Sequence, residues 1–148
     1  MRRQVIPDIV KNQAICELTE QSTVFEAARQ MMDCNVAAVV ILGEDGKLMG
    51  IVTERDLTRR VLAEELDPKK TTMAEIMTAN PDTLSPDDTA AEALELMRTR
   101  QYRHLPVAED GKVVGMVSIR DLYAAVQSEL EENIKETEAF VFGDRYGA

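Results

Sequence analysis

Two short runs carry the side chains that can do chemistry. Thr53-Glu54-Arg55-Asp56 and Ser118-Ile119-Arg120-Asp121 each set a hydroxyl, a guanidinium and a carboxylate within four consecutive residues. At that spacing the hydroxyl and the carboxylate can close a capping box around the start of a helix. The same groups can also bind a ligand. A helix start presents unpaired N–H groups and the positive end of the dipole, so it attracts phosphate, and the hydroxyl adds a donor. A carboxylate one turn in can accept from both hydroxyls of a ribose. Arg55 and Arg120 offer the planar fork that suits phosphate, or they can pair with a neighbouring acid on an exposed helix face. No base, nucleophile or metal cluster accompanies Asp56 and Asp121, so binding is expected and catalysis is not.

The elements that position these corners are written twice. Glu44 to Leu57 and Glu109 to Leu122 are identical at nine of fourteen places, and most differences exchange Leu for Val, Ile for Met or Thr for Ser, which makes the chain a tandem repeat. Ahead of each lies a helix signal opening with Thr-x-x-Glu, at Thr23 and Thr89. Ser85-Pro86-Asp87-Asp88 adds a second cap and a proline suited to a first helical position. Apolar runs at 36–42 and 102–108 predict strands. Asp45-Gly46 and Asp110-Gly111 predict tight hairpins, and runs at 48–52 and 113–117 predict the outgoing strands. One residue near Gly43 has no counterpart in the second copy. The unit reads helix, strand, hairpin, strand, helix, with a short lead-in carrying Ile9-Val10 in one copy and Ile76-Met77 in the other. The fold class is α/β (α+β), with a first repeat over 5–66, a second over 67–127 and an extension over 128–148.

The copies differ where charge is concerned. Tyr102-Arg103-His104-Leu105-Pro106 stands where the first copy has Val36-Ala37-Ala38-Val39-Val40, and Glu54 stands where the second has Ile119. Two clefts with unequal affinity for phosphate are expected.

Composition bounds the rest. In 148 residues, 45% apolar, no run reaches the roughly 18–20 residues that would cross a bilayer, so no membrane span is expected. A net charge of −10 disfavours a general nucleic-acid surface but leaves room for a local basic pocket. A single histidine and two unclustered cysteines argue against a zinc site, and Cys16 and Cys34 are expected as free thiols in a cytoplasmic protein with no export signal.

Glu75-Ile76-Met77-Thr78, Leu96-Met97, Leu105-Pro106-Val107 and the run Gly115 to Leu122 together resemble a CBS domain, the cystathionine β-synthase regulatory module. The first copy matches through Thr23 to Met31 and Gly50 to Leu57, and lacks the Leu-Pro pair. The chain therefore resembles, over residues 5–127, a tandem pair of such domains, or Bateman module. That resemblance implies pseudo-twofold packing and an adenosine-containing ligand (AMP, ADP, ATP, NAD or S-adenosylmethionine) in the cleft between repeats. Thr53, Arg55, Asp56, Ser118, Arg120 and Asp121 would contact it, Arg103 and His104 would face its phosphates, and Ile15, Pro81, Asp82, Met116 and Val117 would line its adenine slot. No obligatory cofactor is implied. The expected role is a stand-alone regulatory or sensor module acting on another, unknown protein. The alternative is a ligand-free oligomeric scaffold whose corners are only helix caps.

Beyond Asp121 the apolar residues Leu122, Val126, Leu130 and Ile134 recur every four places and predict a continuing helix with a solvated acidic face. The aromatic tail from Glu138 to Tyr146 must bury its surface, either on its own module or on a second subunit of a homodimer, and the latter is favoured because such modules associate in disc-like dimers.

Overall fold

A computed structural model describes residues 2–10 and 13–146, with side chains through Val141. After a turn at Val5–Ile9 the chain runs through β1 (Glu17–Leu18), α1 (Val24–Cys34), β2 (Ala38–Leu42), β3 (Leu48–Thr53) and α2 (Glu54–Asp56), which widens into π-type turns over Leu57–Leu62. The second half follows as α3 (Met73–Ile76), β4 (Thr78–Ala79), α4 (Ala90–Arg100), β5 (His104–Glu109), β6 (Lys112–Ser118) and α5 (Ile119–Tyr146).

Helix starts fall where the threonines cap them. Thr23 and Thr89 each close a capping box, with Glu26 and Glu92 respectively. Ahead of α3, at a Thr-x-x-Glu present in the sequence but not read as a start, the Thr72 N–H and hydroxyl both donate to Glu75 Oε2, at 2.6 and 3.2 Å. Helices α1 and α4 end in left-handed residues, Asn35 and Gln101. Pro86 does not occupy a first helical position: the Ser85 and Asp88 N–H groups bond to Asp88 Oδ2 and Ser85 O, closing a separate turn ahead of α4.

One sheet has the order β1-β2-β3-β4, with β1 parallel to β2 and the other pairs antiparallel; β5 and β6 form a two-stranded antiparallel sheet. The hairpins differ. Asp110 and Gly111, both at positive φ, make a two-residue connection between Glu109 and Lys112. In the first copy the extra residue, Gly43, lengthens the loop: its N–H bonds to Lys47 O, and Gly46 N–H bonds back to Gly43 O. The parallel pairing of Leu18 with Ile41 has a counterpart 66 residues on, where Leu84 pairs with Val107.

Two apolar cores form, and the lead-in segments exchange between them. Met73 and Ile76 are buried among Val24, Ala27, Val39 and Val52 of the first repeat. Val5 and Val10 are buried among Ala93, Met97, Leu105 and Val117 of the second. Glycine permits each exchange. A Cβ on Gly50 would stand 2.6 Å from Met77 Sδ and 2.9 Å from Thr78 O, and one on Gly115 would stand 2.8 Å from Val10 Cγ1.

Two further expectations fail. Cys16 and Cys34 are not free thiols but a disulfide, with Cα atoms 6.6 Å apart. Their separation of 18 residues hid the pairing, because it depends on the direction in which α1 packs, which brings its last residue, Cys34, beside the residue that precedes β1. The bond also removes the cysteines as support for a reducing compartment. The acidic face of α5 is not wholly solvated either: Glu129 accepts the Arg3 N–H and Glu132 binds the Arg3 guanidinium at 2.6 Å, tying the N-terminal segment to the helix.

Candidate functional site

Both corners are capping boxes. Thr53 N–H donates to Asp56 Oδ2 at 2.9 Å, and Asp56 N–H donates to Thr53 Oγ1 at 3.3 Å. At the second corner Ser118 N–H reaches Asp121 Oδ2 at 3.3 Å, and Asp121 N–H reaches Ser118 Oγ at 3.2 Å. Each carboxylate keeps acceptor capacity beyond this bond, since a carboxylate has about four lone-pair sites. Asp56 commits part of it to Arg60, whose Nε lies 3.6 Å from Oδ1. The helices they head also differ, because α2 is three residues before it widens whereas α5 is a continuous 28 residues.

Each corner opens on a cleft lined by both repeats. The first, a cavity of about 340 Å³, brings Thr53, Arg55 and Asp56 together with Pro81, Asp82, Arg103 and His104. The second, of about 500 Å³, brings Ser118, Arg120 and Asp121 together with Ile15, Met116, Arg103 and His104. Arg103 and His104 thus border both cavities. The clefts correspond part by part. Pro81 and Asp82 hold in the first the places that Ile15 and Cys16 hold in the second, and Gln101-Tyr102 hold those of Asn35-Val36.

Charge separates them. The first cleft carries three carboxylates, Glu54, Asp56 and Asp82, against the guanidinium groups of Arg55 and Arg103. The second carries one carboxylate, Asp121, against Arg103 and Arg120. Arg55, Arg103 and Arg120 are exposed and make no ion pair among the described residues. Burial lowers the pKa of the His104 imidazole, and Arg103 pushes the same way; Asp121 and Glu54 pull it up without prevailing. In the first cleft the Tyr102 hydroxyl donates to Asp82 Oδ2 at 3.0 Å, and this bond, helped by burial, raises the phenol above its ordinary range.

Val117 reaches neither cleft. Strand alternation turns it away from its neighbour Met116, and it is fully buried in the second core. Tyr102, Gln101, Asn35 and Gln13 line the cavities without having been picked out from the sequence. The signal that could have found the first three was the place of Gln101 and Tyr102 directly before Arg103, from which the 66-residue offset leads to Asn35 in the other copy.

The CBS domain family model matches residues 3–63 and 73–128. The chain belongs to the CBS domain family. This CBS pair is 36% identical over 129 residues to the mitochondrial CBS domain-containing protein CBSX3 of Arabidopsis thaliana, covering 84% of this chain and 63% of that one. It spans only about a fifth of another Arabidopsis thaliana relative, CBSCBSPB2, at 41% identity over 110 residues. Among solved structures it resembles a CBS domain protein from Pyrobaculum aerophilum complexed with AMP (30% identity, TM-score 0.70, covering 76% of this chain and 86% of that one). It also resembles the CBS domain pair of protein MJ0100, complexed with 5′-methylthioadenosine and S-adenosyl-L-methionine (30% identity, TM-score 0.74, covering 87% and 99%). Among the described residues of this CBS pair no group of three or more His, Cys, Asp or Glu is placed to hold a metal ion, and no helix is long and apolar enough to cross a membrane.

Proposed function

We propose that this CBS pair is a regulatory module, not an enzyme, that binds one adenosine-containing, phosphate-bearing ligand in its second cleft. The observation that carries the reading is the imbalance of charge between two otherwise equivalent cavities. Arg103 and Arg120 face a single carboxylate in the second, whereas Glu54, Asp56 and Asp82 oppose a phosphate in the first. Asp121 would accept from the ribose hydroxyls, Ser118 and the start of α5 would receive the phosphate with Arg120 and Arg103, and Ile15 and Met116 would flank the base. Solved relatives at 30% identity hold AMP, or 5′-methylthioadenosine with S-adenosylmethionine, which supports the adenosyl class. Binding would draw both repeats onto one ligand, and the change of shape would pass to a second copy of the chain or to another protein. Isothermal titration with AMP, ADP, ATP, NAD and S-adenosylmethionine tests the class; heat from none of them would refute it.

One observation favours a second reading, a ligand-free scaffold. The hydroxyl and carboxylate at both corners already bond to each other's backbone, so the caps are complete without a ligand. Thermal denaturation separates the two, because a ligand that binds only the native state raises its stability by mass action. A midpoint unmoved by millimolar AMP would favour the scaffold.

A further inference from the structure

The disulfide has a place that the sequence did not suggest. Cys16 lines the second cleft, and Cys34 immediately precedes Asn35, a left-handed residue that lines it too. The bond therefore ties the lead-in that forms one wall to the end of the helix that forms another. At the equivalent place in the first cleft stand Asp82 and Arg100, and the tie there is made from two residues further on, with Tyr102 donating to Asp82 at 3.0 Å. Val36, the counterpart of Tyr102, has no hydroxyl. Each cleft thus has one strap between lead-in and helix end, non-covalent in the first and covalent in the second.

The other ties of this wall are few and short: Gln13 Oε1 accepts the Met116 N–H at 2.7 Å, the Cys16 carbonyl accepts the Val40 N–H at 3.2 Å, the two-residue β1 pairs with β2, and Cys16 and Leu18 pack against the first core. Both cysteines are only half-buried, so a reductant can reach them.

We infer that Cys16–Cys34 is a redox modification site whose state sets the ligand affinity of the second cleft. This rests on the reading above for the ligand but not for the strap. The reductant is a dithiol. One of its thiolates attacks a cysteine sulfur and expels the other cysteine as a thiolate, which takes a proton; its second thiol then attacks the mixed disulfide and releases the first cysteine. Two electrons and two protons pass to the protein, and the dithiol leaves as a disulfide. Freed of the bond, the 13–18 segment samples more conformations, and ligand binding must reorder them.

The full chain is compared oxidised, reduced with dithiothreitol, and as C34S, with amide hydrogen exchange and AMP titration on each. Reduction should speed exchange over 13–18 and 35–40, leave 80–84 and 101–104 unchanged, and raise the AMP Kd by about fivefold or more, the lower end for coupled sites. C34S should behave as the reduced form with or without dithiothreitol. By reciprocity, saturating AMP should make the disulfide harder to reduce by the same factor. Equal exchange over 13–18 in both redox states would overturn the proposal, as would two alkylatable thiols in the protein never exposed to reductant. If AMP binds no form while exchange still responds to reduction, the adenosyl reading fails and the strap stands.

Discussion

His104 is the only imidazole in the chain and borders both clefts, with Asp121 and Glu54 drawing its pKa up and burial with Arg103 drawing it down more strongly. A histidine whose folded pKa lies below its unfolded value binds its proton more readily unfolded. Stability is therefore fully present above the ordinary 6.5 and falls as pH is lowered through the folded value. Because no other imidazole interferes, proton NMR should show a midpoint below 6.5 in the free protein; one at or above 6.5 would contradict the burial argument. A phosphate placed beside it should move that midpoint upward when AMP is added. Arg103, exposed and without an ion-pair partner among the described residues, should serve the ligand and not the fold. Arg103→Ala should weaken AMP binding roughly tenfold to a hundredfold, the loss of one charge-assisted hydrogen bond, with the unfolding midpoint unchanged. An unaltered AMP affinity by calorimetry would remove Arg103 from the site. The sequence made Arg103 and His104 conspicuous against Ala37 and Ala38. It did not show that they face both clefts, because that depends on how the two repeats pack, and the Cys16–Cys34 pairing escaped because it depends on how α1 packs beside β1 within the first repeat.

At the scale of elements, the helix starts, strands and hairpins could be read directly, since capping boxes, apolar runs and Asp-Gly pairs are local signals. The exchange of lead-ins was not readable in that way, although its mark was present in Gly50 and Gly115. Gly50→Ala should destabilise the protein by roughly 1–3 kcal/mol, because the Cβ meets the backbone of β4, which cannot move aside cheaply. Urea unfolding would register this, and an unchanged midpoint would mean that β4 does not lie so close. The regular four-residue spacing on α5 was misleading in one respect. An α-helix has 3.6 residues per turn, so a step of four drifts by about 40°. Leu122 is fully buried and Val126 partly so, but Leu130 has rotated out to 57% exposure, and Ile134 is exposed with it. The stripe covers the second core for its first turns and then leaves it.

As a whole molecule, the chain presents an exposed apolar stretch at the far end of α5, where Phe140 is 75% exposed and Val141 stands beside it. Phe142 and Tyr146 of the same tail lie outside the described side chains. Among the described residues the tail does not fold back on its own module, and association with a second copy is the proposal that covers it. Removing residues 136–148 should then weaken self-association in sedimentation velocity, while a distribution identical to that of the full chain would reject this role for the tail. The proposal of one ligand per chain rests on two clefts of one design but opposite charge balance. Calorimetric titration of AMP into the wild type, Asp56→Ala and Asp121→Ala tests that claim most directly. Each substitution should cost about 1 kcal/mol of stability through its cap, so stability alone cannot separate them. The account predicts a single site per chain, lost in Asp121→Ala and kept in Asp56→Ala; two equal sites, or loss in Asp56→Ala with binding retained in Asp121→Ala, would contradict it.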